Sequence, residues 1–221
     1  LALASSPAYD PNHLTPDLFL AGPEASPLLN RALQGLYPPG STFKMAVAGL
    51  ALERGFTGLF DCPGAGYVPG PGMAPIRDHE YYDRQRRGQS WGGHGRIGLR
   101  RALAKSSNVY FAQLGAYLGP AALMEQARRF QFNQTLTLLE GSAGPLRFKT
   151  GEFPEVPPGR RAAASQLAIG QGELLATPMG MALVGAAIAN DGRLMRPRLT
   201  DRQPPELLAG CMSPAAARKL R

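Results

Sequence analysis

The spacing of apolar residues predicts several helices. Between residues 41 and 54 the apolar side chains fall at positions 43, 46, 47, 50 and 51, and Gly55 follows where a helix-ending glycine is expected. Ser41 therefore lies in the first turn of a predicted helix. The same reasoning predicts further helical regions: helical segments around residues 106–108 within 99–118, a helix at 120–130, and one from Pro178 to about Ala189 with Thr177 as its N-cap.

The rest of the chain is divided by glycine and proline. The sequence predicts turns over residues 7–40, loops and short strands over 56–98, and a loop over 141–159. Residues 162–169 form a short apolar segment. Asn190-Asp191-Gly192 predicts a turn, and residues 194–199 predict a strand. Residues 1–5 resemble the end of a strand, and Ser213 with Pro214 predicts a helix start close to Arg221. We therefore expect residues 1–221 to form one partial domain, truncated at both ends.

Composition and charge narrow the possible classes of protein. Hydrophobic residues make up 44% of the chain and charged residues 18%, with 27 glycines and 21 prolines, which excludes a coiled coil and a disordered chain. The net charge of +8 is compatible with nucleic acid, an anionic membrane or an anionic wall polymer as a partner. The arginines, however, stand singly or in pairs, and no nucleic-acid-binding motif accompanies them. A solvated basic surface is therefore favoured over a nucleic-acid partner. No apolar run reaches the ~18 residues of a membrane span.

The two cysteines, Cys62 and Cys211, are far apart and form no CxxC motif. They predict neither a metal site nor a disulfide framework. Whether they are paired or free stays open at this point.

Ser41 and Lys44 carry the strongest chemical signal, within Tyr37-Pro-Pro-Gly-Ser-Thr-Phe-Lys44. Residues three apart on a helix share a face. A serine hydroxyl becomes a nucleophile when a base removes its proton, and lysine can be that base when burial, a nearby cation or a helix N-terminus lowers its pKa. Free N–H groups at the helix start can stabilise an oxyanion. The tetrad alone is a weak signal, because an N-cap serine beside a solvated lysine has the same spacing.

Ser106 and Asn108 form the second element, and Ser-x-Asn occurs once in the chain. A hydroxyl and an amide on one small turn can relay a proton and hold a substrate carbonyl. A helix-capping cluster has the same composition. Ser-x-x-Lys followed by such an element is, however, part of the signature of penicillin-binding proteins and related β-lactamases.

Taken in order, these motifs resemble the transpeptidase domain of class B penicillin-binding proteins, the monofunctional D,D-transpeptidases of cell-wall synthesis. Several ordered motifs with similar spacing are far more specific than any one of them. The resemblance covers most of the chain and rests on these segments: Ser6-Pro-Ala-Tyr-Asp10-Pro-Asn12, Asn30-Arg-Ala32, Tyr37 to Lys44, Gly92-Gly-His94-Gly95, Ser106-Ser-Asn108-Val-Tyr-Phe111, Ala168-Ile-Gly-Gln-Gly172, Leu175-Ala-Thr-Pro178, Asn190-Asp-Gly192 and Arg196-Pro197.

The resemblance implies a fold and a chemistry. The fold is α+β, with a mainly helical subdomain beside a partial antiparallel sheet. Ser41 is the nucleophile acylated by the D-Ala-D-Ala end of a peptidoglycan stem peptide, Lys44 is its base, and Ser106 and Asn108 relay protons and bind the substrate amide. An amine of a neighbouring stem peptide then completes the cross-link.

Partners and location follow from the same resemblance. β-Lactam antibiotics acylate the same serine, other cell-wall synthesis proteins are expected partners, and no metal or cofactor is required. The parent protein is expected at the bacterial cell membrane, on its periplasmic face, held by an N-terminal anchor outside this chain.

The family also carries a Lys-Thr-Gly motif on a strand beside the cleft. This chain contains Lys149-Thr150-Gly151, but prolines interrupt its flanks, and it precedes the Gly-Gln-Gly and Thr-Pro segments that come first in the family. We interpret it as a coincidental match and expect the functional motif beyond Arg221. His94, between glycines, could be a general base, but a structural role is favoured, and Gln171 is expected to shape the backbone.

Two alternatives stay open. A hydrolase, either a β-lactamase or a D,D-carboxypeptidase, would use the same serine and would need a general base that places a water. No glutamate in the sequence has a convincing signature for that role. The second alternative is a protein without turnover of a substrate. It would be either a penicillin-binding sensor, which is acylated but not catalytic, or an inert fragment.

Overall fold

The computed structural model describes residues 3–20, 22, 26–142 and 144–221. Ten α-helices and one 3-10 helix are found in these residues. In chain order the α-helices are α1 (Asp17–Leu20), α2 (Arg31–Gln34), α3 (Lys44–Glu53), α4 (His79–Arg86), α5 (Leu99–Ala104), α6 (Asn108–Leu118), α7 (Pro120–Arg129), α8 (Arg161–Ala168), α9 (Pro178–Ala189) and α10 (Pro214–Leu220); the 3-10 helix, Gly40–Phe43, leads directly into α3.

The strands pair antiparallel in four separate two-stranded sheets. The pairs are β1 (Phe60–Pro63) with β2 (Gly93–Ile97), β3 (Thr135–Leu139) with β4 (Leu146–Lys149), β5 (Gly151–Glu152) with β6 (Leu175–Ala176), and β7 (Arg193–Met195) with β8 (Leu207–Gly210). The predicted α+β class is confirmed. The expected single partial sheet is replaced, among the described residues, by these short pairs at the edges of the helical core.

The predicted helices are confirmed, with one refinement. The segment that begins at Ser41 starts as a 3-10 turn and becomes α-helical at Lys44. It closes as predicted around Gly55, because the N–H of Phe56 donates to the Ala51 carbonyl at 2.9 Å. Thr177 and Ser213 cap α9 and α10 through their hydroxyls, and the predicted turn at residues 190–192 has Gly192 at φ +81°.

Other expectations were wrong. Residues 56–98 contain the helix α4, and residues 141–159, predicted as a loop, contain β4 and β5. The strand expected at 194–199 ends at Met195, since Pro197 cannot donate to a ladder. Of the strand end expected at residues 1–5, Leu1 and Ala2 lie outside the described residues and Leu3–Ser5 form no strand.

The core lies between α3, α6 and α8, whose inward residues are almost all buried. α6 and α8 approach closely at Gly115, where a Cβ would lie 2.4 Å from the Ala164 carbonyl oxygen and 2.5 Å from the Ala168 Cβ. α3 is apolar along most of its length, as befits a helix covered on nearly all sides. The helix that follows Ser41 is therefore held rigidly.

Cys62 and Cys211 are both free and buried, which settles the question that the sequence left open. Burial raises the pKa of the Cys62 thiol to about 11 and that of Cys211 to about 12. Among the helices in the described part of the chain, none has the length and apolar character needed to cross a bilayer.

Candidate active site

Ser41 and Lys44 lie at the junction of the 3-10 helix and α3. Pro38, Pro39 and Gly40 lead the chain into this turn, and Ser41 is exposed at its surface. Lys44 follows one turn later on the same face, and its side chain is only 1% exposed. The hydroxyl is thus open to a substrate while the amine beneath it is shielded from water.

The Lys44 amine is the centre of a hydrogen-bond cluster. Its Nζ lies 2.6 Å from the Ser106 carbonyl oxygen and 2.7 Å from Asn108 Oδ1. The hydroxyls of Ser41 and Ser106 are both 3.1 Å away. The structure therefore brings together all four residues that the sequence singled out, although residues 44 and 106 are 62 positions apart.

The Ser106–Asn108 segment is the junction between α5 and α6. Ser106 has φ +52°, a left-handed conformation, and Ser107 is the N-cap of α6, with its hydroxyl accepting from the Tyr110 N–H. Asn108, the first residue of α6, donates from Nδ2 to the Arg77 carbonyl at 3.0 Å. That bond fixes the orientation of the amide and leaves Oδ1 for Lys44.

The turn before Ser41 is held by the segment that follows α8. The N–H of Gly40 donates to the Gly170 carbonyl at 2.9 Å, and a Cβ on Gly170 would lie 1.9 Å from the Gly40 carbonyl oxygen. Tyr37 and Ala176 exchange two backbone hydrogen bonds of 2.9 and 2.8 Å. The Gly-Gln-Gly motif thus supports the nucleophile's turn through the backbone of Gly170. The backbone role that the sequence suggested for Gln171 stays a prediction.

Burial lowers the pKa of Lys44 to about 8, because the charged ammonium loses solvation. Asp78 and Glu80 act in the opposite direction, since their negative charges favour the ammonium. The ring of Phe111 lies 5.7 Å from Nζ and closes the apolar side of the site. Lys44 is therefore a buried amine whose pKa lies close to neutral pH.

Sequence reasoning missed Asp78 and Glu80. Asp78 precedes α4, a helix that the glycine- and proline-rich composition of residues 56–98 concealed. An aspartate directly before a run of helix-compatible residues is an N-cap signal, and it could have revealed α4. It could not have revealed that the Asp78 carboxylate bonds α6 rather than α4.

The remaining candidates have other partners than the Lys44 amine. Thr150 is fully buried and its hydroxyl donates to the Gln131 carbonyl, while Lys149 pairs with Glu152 at 2.8 Å. The carbonyls of residues 149 and 150 accept from Thr177 and so support α9. His94 has a side chain that is only 5% exposed, and Nε2 lies 3.6 Å from Asp78 Oδ2.

The sequence matches the family described as the penicillin binding protein transpeptidase domain over residues 1–221. The chain belongs to this family. Together with the relatives named below, this match confirms the resemblance to class B penicillin-binding proteins drawn from the motifs.

Named relatives agree with the family. The chain is 37% identical over 208 residues to the peptidoglycan D,D-transpeptidase PbpA of Mycobacterium tuberculosis, covering 90% of this chain and 40% of the relative. It is 34% identical over 214 residues to the peptidoglycan D,D-transpeptidase MrdA of Escherichia coli K12, covering 90% and 32%. The chain thus spans well under half the length of these two relatives.

Solved structures of this family share the fold. The crystal structure of PBPA from M. tuberculosis superposes with a TM-score of 0.79 at 32% identity, covering 99% of this chain and 53% of that one. The penicillin G acyl-enzyme complex of the same mycobacterial protein superposes with a TM-score of 0.75 at 32% identity, covering 99% and 52%.

Proposed function

We propose that this chain carries the acylation site of a peptidoglycan D,D-transpeptidase. Ser41 accepts the acyl group of a stem peptide ending in D-Ala-D-Ala and passes it to an amine of a neighbouring stem peptide. β-Lactams acylate the same serine. The arrangement around the Lys44 amine is the observation that carries the proposal, together with the names and acyl-enzyme complexes of the relatives.

The partners of Lys44 suit its neutral form. The two nearest atoms, the Ser106 carbonyl oxygen and Asn108 Oδ1, can only accept hydrogen bonds, and a neutral amine has two N–H groups to satisfy them. Its lone pair is then left for a hydroxyl proton, and Ser41 Oγ lies 3.1 Å away. With a pKa of about 8, an appreciable fraction of Lys44 is neutral at physiological pH.

The chemical steps follow from this arrangement. Lys44 takes the Ser41 proton as Oγ attacks the carbonyl of the penultimate D-Ala. The C–N bond then breaks, and the departing D-Ala amine takes a proton relayed from Lys44 through the Ser106 hydroxyl, which is 3.1 Å from Nζ. An acceptor amine attacks the ester, loses its proton to the same relay, and restores the Ser41 hydroxyl. Asn108, at the edge of this cluster, orients the substrate amide.

Hydrolysis is disfavoured by the same geometry. A serine hydrolase of this type needs a base that activates water at the acyl ester. Within the described residues, no carboxylate oxygen is hydrogen-bonded to Ser41 or to Lys44. We therefore expect a long-lived acyl-enzyme rather than fast turnover of a β-lactam.

The test is the intact mass of the chain after incubation with benzylpenicillin. We expect one stable adduct on the parent chain, none on Ser41→Ala, and an unchanged adduct on Ser90→Ala, whose serine is exposed and outside the cluster. Rapid loss of the antibiotic without an adduct would favour the hydrolase. An intact antibiotic without an adduct, on this chain and on one extended beyond Arg221, would contradict the proposal.

We further propose that the protein acts on the outer side of the bacterial membrane beside other cell-wall synthesis proteins, because its substrate is peptidoglycan. We also propose that a segment after Arg221 supplies the family's Lys-Thr-Gly motif. The bond from the buried Thr150 hydroxyl to the Gln131 carbonyl and the pairing of Lys149 with Glu152 support this, since both side chains have partners other than Ser41 and Lys44.

A further inference from the structure

The carboxylate of Asp78 is buried beneath the second motif and bonds to it at two points. Asp78 is only 2% exposed, and it stands directly before α4 without capping that helix. Its Oδ1 instead accepts from the Val109 N–H at 3.0 Å, and its Oδ2 accepts from the Ser107 hydroxyl at 3.2 Å. Both partners belong to the N-terminal turn of α6.

These bonds extend to the amine of Lys44. Ser107 and Val109 flank Asn108, whose Nδ2 donates to the carbonyl of Arg77, the residue before Asp78. Asn108 Oδ1 in turn accepts from Lys44 Nζ. Residues 77 and 78 together thus anchor the turn through three hydrogen bonds. This turn positions the Ser106 carbonyl oxygen and Asn108 Oδ1 around the amine.

The same carboxylate belongs to a cluster of ionisable groups. His94 Nε2 lies 3.5 Å from Glu80 Oε1 and 3.6 Å from Asp78 Oδ2, both too long for good hydrogen bonds, and His79 Nδ1 lies 3.3 Å from Glu80 Oε2. The Cys62 thiol beside Ser107 stays neutral, because burial raises its pKa to about 11. The negative charges of Asp78 and Glu80 favour the ammonium form of Lys44 and so oppose the effect of its burial on its pKa.

We propose that Asp78 is a positioning residue for acylation, because its buried carboxylate fixes the turn that carries Ser106 and Asn108. Asp78 and Glu80 also place negative charge near the Lys44 amine. This inference rests on the proposed acylation of Ser41. The two contributions are separable, because Glu80 shares the charge but makes no hydrogen bond to Ser107 or Val109.

The electrostatic effect of Asp78 and Glu80 on Lys44 is tested by titrating the Lys44 amine directly. The chain has four lysines, so a protein labelled with ¹³C at lysine Cε gives four signals, and the Lys44→Arg variant assigns the one of interest. In Asp78→Asn and in Glu80→Gln we expect the Lys44 titration to move to lower pH by about half a unit, because a charge that favours the ammonium is lost. Asp83→Asn, an exposed carboxylate on α4, should leave it unmoved.

The anchoring role is tested by the rate of acylation. Asp78→Ala should slow acylation of Ser41 by benzylpenicillin about tenfold or more, and Asp78→Asn, which can still accept from Val109, should restore most of that rate. In Glu80→Gln the rising limb of the pH–rate profile should move to lower pH with little loss at the plateau.

Each outcome decides one question. A Lys44 titration that is identical in the parent, Asp78→Asn and Glu80→Gln would overturn the electrostatic part, and parent-like acylation by Asp78→Ala would overturn the anchoring part. If neither the parent nor a chain extended beyond Arg221 is acylated, the proposed function fails, yet the lysine titration still reports on Asp78. Suppose that the parent is acylated, and that the Asp78 and Glu80 variants match it in both the Lys44 titration and the acylation rate. The proposed function then stands and this inference fails.

Discussion

Ser106 occupies a position at which glycine is the usual residue. It lies at C′ of α5, where the N–H groups of Ser106 and Ser107 donate back to the carbonyls of Leu103 and Ala102. Its φ of +52° costs a non-glycine residue roughly 1–2 kcal/mol. The same conformation turns both its carbonyl and its hydroxyl toward Lys44. The backbone strain therefore coincides with the proton relay that we propose.

Replacing Ser106 separates these two effects. We expect Ser106→Gly to be about 1 kcal/mol more stable than Ser106→Ala, because glycine adopts this φ without a Cβ penalty. Both variants should be acylated by benzylpenicillin at least tenfold more slowly than the parent, since both lack the hydroxyl. Urea unfolding and acylation rates measure the two quantities. An alanine variant as stable as the glycine variant would contradict the strain argument.

Lys44 allows a sharper test of the proposed base. Lys44→Met keeps an unbranched side chain that is one atom shorter and removes the amine. We expect acylation to fall by about 10²–10⁴, the usual contribution of a general base. Lys105→Met, at an exposed lysine next to the second motif, is the matched control and should change the rate little. A Lys44→Met rate within a few-fold of the parent would exclude Lys44 as the base.

At the scale of elements, the turn before Ser41 depends on the segment that joins α8 to α9. That segment bonds the turn at Gly170 and again at Ala176, so it acts as a backbone support without any side-chain chemistry. At Gly170 only a residue without a Cβ allows the two chain segments to approach so closely, because a Cβ there would lie 1.9 Å from the Gly40 carbonyl oxygen.

Two glycine-to-alanine variants test that support. Gly170→Ala places a Cβ against the Gly40 carbonyl at a φ of +74°, so we expect lower stability by more than about 1 kcal/mol and a displaced Ser41. Gly185→Ala in the interior of α9 meets nothing within 4 Å and should raise stability by about 0.5–1 kcal/mol. Thermal unfolding and acylation rates are the measurements. Parent-like acylation by Gly170→Ala would show that the turn holds without this support.

At the scale of the whole molecule, sequence predicted local features better than long-range ones. The helices with apolar periodicity and clear caps, α3, α6 and α9, were found because their signals lie within a few residues. α4 was missed because its surface is polar throughout and has no apolar stripe to detect. The four motif residues of the site were predicted through the order of short motifs. The bonds from Asp78 to the N-terminal turn of α6 connect positions 29 and 31 apart and follow from packing alone.

The buried amine of Lys44 also makes a prediction about the stability of the whole chain. Its pKa is lowered to about 8 in the folded protein, whereas a lysine in the unfolded chain has its ordinary pKa of 10.5. Between these values the unfolded chain holds a proton that the folded chain has released. The contribution of Lys44 to the free energy of unfolding should therefore rise with pH across this window, by up to about 3 kcal/mol. It should be constant below the window and again above it.

Other groups titrate in the same range, so the prediction must be tested as a difference. Burial raises the pKa values of Cys62, Cys211 and Tyr110, and these groups destabilise the folded chain as the pH rises above their unfolded pKa values. Lys44→Met retains all three. The stability of the parent minus that of Lys44→Met, measured by urea unfolding from pH 7 to about 10.5, should therefore increase steadily with pH, whereas the same difference for Lys105→Met should stay flat. A Lys44 difference that stays flat would mean that the amine titrates as in water, and a base with that pKa would be almost wholly protonated at neutral pH.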